Sequence, residues 1–192
     1  MGNSVDSAAM PLDTGRMEPV ELQTDRLVLR AVTVDDETAI VNACNDREIL
    51  HYLPLPVPYT AEAAGDFIAT SAQEWVDGSR YGFGFFLTDT GELAGTCALK
   101  SISPGVLEVG YWSARRHRRK GMTAEAVRRL CQWGFDELSA HRIEWWAIVG
   151  NDGSRAVAEA VGFEMEGLLR RRSYRRDEPA DWWVGGLLRR PE

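Results

Sequence analysis

Apolar residues recur along the chain at two spacings, alternate positions in some stretches and every third or fourth in others, and these periods divide it into strands and helices. Leu27-Val28-Leu29-Arg30 predicts a short strand. Thr33, followed by Asp35, Asp36 and Glu37, puts a hydroxyl cap and acidic groups at a helix start. From His51 to Thr60 three prolines and two tyrosines predict an irregular loop, able to enclose a substrate. Thr60 then caps a helix with Ala64, Phe67, Ile68, Ser71 and Trp75 on one face. Tyr81 to Leu87 and Leu93 to Leu99 are strand runs joined by the hairpin chemistry of Asp89-Thr90-Gly91-Glu92, and Val106 to Trp112 continues an antiparallel meander. From Thr123 onward, Val127, Leu130, Cys131, Gly134, Phe135 and Leu138 share a helical face. Arg142 to Val149 returns as a strand, so this unit predicts a parallel crossover. A short helix after Asn151 runs to Val161 and is stopped by Gly162. Leu168 to Tyr174 and Trp182 to Leu188 pair around Asp177-Glu178-Pro179. The pattern is that of a mixed α/β fold without internal repeats.

Length and composition narrow this picture. At 192 residues, 44% of them hydrophobic, the chain suits a single domain over residues 20–192, preceded by a flexible arm over residues 1–19. A net charge of −7 argues against general nucleic-acid affinity. Cys44, Cys97 and Cys131 are odd in number and flanked by apolar residues, which fits buried thiols rather than a disulfide framework. His51, His117 and His141 have no ligand-like spacing with them, so no metal site is expected. No apolar stretch approaches the roughly 18–20 residues of a membrane span, and the start lacks a secretion pattern, so no membrane partner and a cytoplasmic location are expected. Gly2 invites a myristoylation reading, which Asp6 at the position wanting Ser or Thr excludes.

The segment from Glu108 to Ala126 combines a strand, a basic loop and a helix start. Backbone amides at a helix N-terminus are unpaired and the macrodipole is positive there, which suits an anionic phosphate, with Gly121 permitting close approach. A glycine in a basic loop also serves as a plain turn.

Ordered anchors decide between these readings. They are Leu22-Gln-Thr-Asp-Arg-Leu-Val-Leu-Arg30, Tyr52-Leu-Pro before Pro58-Tyr-Thr60, Gly110-Tyr-Trp112, Arg118 to Ala126, Asn151-Asp-Gly-Ser154, Gly162-Phe163 and Glu166-Gly167. On these residues the chain, from about residue 21 to 189, resembles the GNAT superfamily of N-acetyltransferases, and within it the RimJ/RimL ribosomal-protein-alanine type. The resemblance implies a twisted, mostly antiparallel sheet of about six to seven strands with a central parallel pair and flanking helices. It also implies acetyl-CoA as cosubstrate and no metal. The pyrophosphate would lie on Arg118, Arg119, Lys120, Gly121, Met122, Thr123 and Ala124. Arg118 and Gly121 match the family's loop pattern, whereas Arg119 stands where a glycine is common and Thr123 where a smaller residue is. Tyr111, Trp112 and Ser113 would pair with the pantetheine arm as an added strand. Asn151 would hold its amide portion, with helix capping as the alternative.

Acyl transfer to an amine needs a proton acceptor, an oxyanion donor and a group that stabilises the departing thiolate. By resemblance Glu108 is the candidate base, with a strand-surface charge as its plainer reading and Glu144 as second choice, though Arg142 offers the latter an ion pair. The family's frequent thiolate-protonating tyrosine falls on Ala158, and Ser154 is the candidate donor, otherwise a first-turn helix serine. His51 and Tyr52 could line the acceptor pocket or simply pack. Cys131 lies on the apolar helix face and is assigned to the core. Arg170, Arg171, Arg172, Arg175 and Arg176 read first as a solvated face, with a binder of acidic acceptors or a nucleic-acid patch as alternatives.

The expected activity is acetyl transfer to a primary amine, either a peptide N-terminus or a small molecule. The alternatives are transfer from succinyl-CoA or another acyl-CoA, and a catalytically weak CoA- or partner-binding module. A homodimer is left open.

Overall fold

The computed structural model describes residues 17–175 and 177–189, so residues 1–16 of the expected arm and Arg176 of the arginine cluster lie outside the described residues. Eight strands form one sheet: β1 (Leu22–Gln23), β2 (Leu27–Arg30), β3 (Arg80–Leu87), β4 (Leu93–Ser103), β5 (Val106–Ser113), β6 (Arg142–Ile148), β7 (Glu164–Arg175) and β8 (Glu178–Leu188). Their order is β1-β2-β3-β4-β5-β6-β8-β7, antiparallel throughout except for the β5–β6 pair. The helices are α1 (Glu37–Cys44), α2 (Arg47–Tyr52), α3 (Ala61–Asp77), α4 (Met122–Asp136) and α5 (Asp152–Val161). The expected parallel crossover is therefore β5-α4-β6.

Two differences from the sequence reading have physical causes. The eighth strand, β1, is two residues long and too short to carry a pattern. His51 and Tyr52, expected in an irregular loop, close helix α2 instead. Its cap is Asp46, whose side chain accepts from the amides of Glu48 and Ile49, and Ile49 is its one buried residue, so no periodicity announces it. The irregular segment is limited to Leu53–Thr60, and Thr60 caps α3 by accepting from the Ala63 amide.

Strand β4 explains why the sheet is covered on both faces: Leu93 to Leu99 are all buried, the mark of a central strand. On one face Leu107, Val109, Ile143 and Trp145 pack under α4. There Trp133 of α4 meets Trp75, Tyr81 and Phe83 at ring-centroid distances of 5.9, 5.3 and 5.5 Å. On the other face Ile40 of α1, Ala64 and Ile68 of α3, and Phe86 and Leu93 form a second cluster, with Trp112 packed against it. All three cysteines are buried free thiols. Burial pushes the Cys131 thiol up to about 12, leaving it a core residue rather than a nucleophile.

A half-buried ion pair ties β2 to the first helical turn. Arg30 donates to both oxygens of Asp36 at 2.8 and 2.9 Å, and the Thr33 amide donates to Asp36 at 2.8 Å. The guanidinium also lies 3.8 Å from the centroid of the Phe86 ring. Burial alone would raise the Asp36 pKa, but the hydrogen bonds from Arg30 and Thr33 outweigh it and hold the carboxyl below its ordinary value. A lowered native pKa stabilises the fold above the unfolded value and ceases to do so as pH falls through the native one. Asp36→Asn should therefore cost about 1–3 kcal/mol at neutral pH, read as a lower denaturation midpoint. That deficit should shrink as pH drops below about 3.9, where Asp36 of the unfolded parent chain begins to take up a proton that the native carboxyl still refuses. A deficit independent of pH would assign the effect to packing.

Candidate active site

The sheet forks at its parallel pair. β5 stays paired with β4 to its last residue, Ser113 opposite Gly95, but pairs with β6 only from Val106 opposite Arg142 to Val109 opposite Trp145. β6 continues beside β8 as far as Ile148 opposite Trp182. Beyond Val109 the β5 edge is thus open to an extended ligand. A closed set of hydrogen bonds stands in the fork: Trp145 Nε1 donates to Ser154 Oγ at 3.0 Å, Ser154 Oγ donates to Tyr111 Oη at 3.2 Å, and Tyr111 Oη donates to the Ser154 carbonyl at 2.8 Å. Burial raises the Tyr111 pKa, so its phenol remains a donor at neutral pH.

The loop after β5 leads into a helix with a bare N-terminus. α2, α3 and α5 are each capped by a side chain, from Asp46, Thr60 and Asn151, and α1 continues directly from a 3-10 turn over Val34–Asp36, whereas α4 begins at Gly121 with neither. Gly121 has φ of 76°, and Arg119 shares that left-handed region with φ of 61°, where a side chain is strained and glycine is not. Clamps hold the curl from outside. Arg26 donates to the Lys120 carbonyl at 3.1 Å and to Glu125 Oε2 at 2.7 Å, and Thr24 Oγ1 donates to Glu125 Oε1 at 2.6 Å. Sequence reading used Thr24 and Arg26 only as family anchors and missed this clamp.

Arg118 is engaged differently from the expected phosphate contact. Its guanidinium donates to the Ser113 carbonyl at 3.1 Å, to Glu48 at 2.7 Å and to Asp46 at 2.5 Å. The side chain is thereby a brace between β5 and α2. The side chains of Arg119 and Lys120 have no hydrogen-bond or ion-pair partner among the described residues. Thr123 is buried, its hydroxyl 2.5 Å from that of Ser113, so it turns toward the strand.

Loop, fork and α2 enclose a cleft of about 560 Å³, in the size range of ligand sites. Of the predicted residues, Tyr111, Trp112, Ser113, Arg118, Arg119, Gly121, Thr123, Ala124, Asn151, Ser154 and Tyr52 line it. Lys120 is exposed outside it, Met122 packs into the core, and His51 lies on the exposed side of α2. Asn151 Oδ1 caps α5 by accepting from the Ser154 amide at 3.1 Å, which leaves its amide NH2 to donate. His117, missed in the sequence, also lines the cleft. It is 5% exposed, its Nε2 lies 3.1 Å from Glu92, and its Nδ1 has no hydrogen-bond partner among the described residues.

Glu108 lies on the opposite face of the sheet from α4, alternating with the buried Leu107 and Val109. It is half-buried and forms no ion pair or hydrogen bond among the described residues. Its Cα partner Glu144 is committed: one oxygen accepts from Arg142 at 2.9 Å and the other from the Trp146 indole at 3.0 Å. Ala158 is fully buried in the core, so a tyrosine there would overpack rather than reach the fork.

Comparison with known proteins bears on this geometry. The acetyltransferase (GNAT) domain family matches residues 26–164. The chain is 31% identical over 172 residues to the uncharacterized N-acetyltransferase p20 of Bacillus licheniformis, covering 88% of this chain and 96% of that protein. A solved Vibrio cholerae protein, provisionally described as a ribosomal-protein-serine acetyltransferase, aligns with a TM-score of 0.77 at 28% identity over 88% of this chain and 98% of that one. RimL, a ribosomal L7/L12 alpha-N-protein acetyltransferase in complex with coenzyme A, aligns with a TM-score of 0.78 over 89% of this chain and 98% of that one. At 20% identity that last likeness speaks for the fold alone. With the family's domain spanning the fork, the loop and the cleft, the chain belongs to the GNAT family of N-acetyltransferases.

Proposed function

We propose that the protein transfers an acetyl group from acetyl-CoA to the α-amine of a peptide or protein by direct attack in a ternary complex. The observation that carries this reading is the fork, which joins a cleft with an uncapped helix start on one face of the sheet to an unpaired carboxylate, Glu108, on the other. The first amides of α4 and the glycine turn suit a pyrophosphate, and the open edge Tyr111–Ser113 suits an extended amide-bearing arm, so the residues present fit the cosubstrate. Asn151 is placed to donate to that arm through its free NH2.

The bound cosubstrate supplies an activated thioester carbonyl. Glu108 accepts the proton that the attacking amine must lose. The Ser154 hydroxyl, turning its single proton from Tyr111 to the leaving sulfur while the Trp145 indole still donates to its oxygen, is the donor for charge that develops there. It takes over a role that Ala158 cannot serve. The acceptor enters over the face that bears Glu108 and Trp112. A peptide acceptor is favoured by the ribosomal-protein description of the 28% identical Vibrio relative.

Four measurements test this assignment. Gly121→Asp puts a carboxylate and a strained Cβ at the helix start, and should weaken CoA binding by about tenfold or more in calorimetry. Arg119→Gly relieves the left-handed strain and should hold or raise thermal stability, by up to about 1 kcal/mol. Unchanged CoA affinity in Gly121→Asp would move the pyrophosphate elsewhere.

Glu108→Gln keeps the shape and removes the base. Its deficit in turnover should be largest at low pH and should narrow toward pH of about 8, where α-amines are already deprotonated. A pH–rate profile parallel to that of the parent would take Glu108 out of the proton transfer.

Ser154→Ala removes one donor, and should lower kcat by about tenfold to a hundredfold with CoA affinity nearly intact. It also leaves the Trp145 indole unpaired, so kcat has to be compared at a temperature where the variant is fully folded. A kcat within about twofold of the parent under saturation would exclude Ser154 from the mechanism.

A further inference from the structure

We infer that the acceptor is acidic beside its amine: a peptide N-terminus followed within a few residues by carboxylate side chains, read by Arg172 and Arg175 of the β7–β8 hairpin. This rests on the acetyl-transfer reading and names its substrate class.

The hairpin is built to aim arginines. Leu169 pairs with Trp182 and Ser173 with Ala180, so Arg170, Arg171 and Arg172 together stand opposite the single residue Asp181. Such a bulge bends the strand and redirects its side chains. It is fixed rather than frayed: Arg171 is held at φ of 52°, with its amide donating to Asp181 Oδ1 at 2.7 Å, and the Trp182 indole donates to Ser173 at 2.9 Å.

Two of the hairpin's cations land on aromatic rings. The Arg172 guanidinium lies 5.2 Å from the Trp146 ring centroid, and that of Arg175 lies 5.4 Å from the centroid of Tyr52, which lines the cleft. Trp146 is two residues along β6 from Glu144, the Cα partner of Glu108, and so shares the face of the proposed base. A guanidinium laid on a ring keeps its N–H edge for a carboxylate, the planar pairing at which arginine exceeds lysine.

These cations lack carboxylate partners among the described residues. Arg118 and Arg142, close by, are each paired with two carboxylates, yet neither Arg172 nor Arg175 forms an ion pair among the described residues. Arg175 donates to His51 Nε2 at 3.3 Å through one nitrogen, while its other terminal nitrogen is buried without a hydrogen-bond partner among the described residues. A buried charged donor left unsatisfied is costly, and native proteins keep one where something outside the fold completes it. In a chain of net charge −7 this local surplus is not a general property of the surface. An acidic peptide suits it better than a nucleic acid, which needs basic groups spread along a phosphate track.

The test uses the full-length protein, acetyl-CoA and peptides of one length that carry Asp-Glu, Asn-Gln or Lys-Arg at their second and third positions. The acidic peptide should have the highest kcat/KM, by about tenfold over the neutral one, chiefly through KM and diminishing with salt. Arg172→Gln and Arg175→Gln should each collapse the acidic-to-neutral ratio, and Arg172→Glu should shift preference toward the Lys-Arg peptide. Thermal midpoints and CoA affinity report whether the variants remain folded. Equal kcat/KM for all three peptides, or a ratio untouched by the substitutions, would overturn the inference. So would variants that lose an RNA oligonucleotide but keep the peptide preference. Calorimetric binding of the peptides to the CoA complex is measured alongside turnover. Preferential binding of the acidic peptide without acetylation of any would sink the transfer reading alone, whereas turnover without preference would sink only the acceptor class.

Discussion

Everything at this site depends on two parallel strands that keep faith with their outer neighbours rather than with each other. β5 is held to β4 so closely that a Cβ on Gly95 would collide with the Trp112 carbonyl, and β6 is held to β8 along its whole length. Past Val109 and Trp145 the shared edge therefore opens, and backbone groups that a regular sheet would pair must find other partners. Arg118 takes the Ser113 carbonyl, and the Trp145–Ser154–Tyr111 hydrogen bonds fill the fork with side chains. What stays open is a strand edge of a length suited to an added peptide-like arm. One break in a ladder thus provides the open edge on which the seat proposed for the donor depends.

The second constraint is the unequal treatment of helix starts. Three helices spend a side chain on their free amides and α1 extends a 3-10 turn, but α4 does neither. A helix start without a cap forgoes about 1 kcal/mol of stability. Here it is reached through two residues in the left-handed region, one of them an arginine, which adds further strain. The clamp of Thr24 and Arg26 on Glu125 and Lys120 holds this arrangement in place. Strain and forgone capping at one spot, supported from a distant strand, are what an anion site at a helix terminus requires before its ligand arrives.

Much of this was legible from local pattern. Strands and helices with several turns or clear alternation fell where periodicity put them, and Asn151, Gly162 and Thr60 serve as the punctuation their residue types suggest. Residues from β5 through α4 and the start of α5 converge on one cleft because the crossover brings them together. Elements without a period stayed hidden: β1 has two residues, and α2 has one buried side chain. Roles set by long-range pairing were hidden as well. Nothing near Arg118 in sequence says that Asp46 and Glu48 will claim its guanidinium, and nothing near Ser154 says that its hydroxyl will join Tyr111 and Trp145. Asp46 cannot be recognised as a carboxylate that is spoken for until α2 is folded against the loop; burial resists its ionisation, but the Arg118 contact outweighs that and keeps its pKa low.

In an arginine-rich chain the informative cations are those the fold leaves unpaired. Arg30, Arg118 and Arg142 join elements, and each has a carboxylate across from it. Their energetic meaning is internal, because removing either partner strands the other. Arg119 at the cleft and Arg172 and Arg175 on the hairpin have no such counterpart among the described residues: Arg119 lines the cleft beside the start of α4, and the other two lie on the rings of Trp146 and Tyr52. A fold that could have neutralised these groups, given a surplus of acidic residues, has not done so. These positive charges thus fall at two places, the first at the seat proposed for phosphates and the second where the acceptor is proposed to enter. The same physical criterion, a cation with no carboxylate partner inside the fold, picks out both without reference to which ligand comes first.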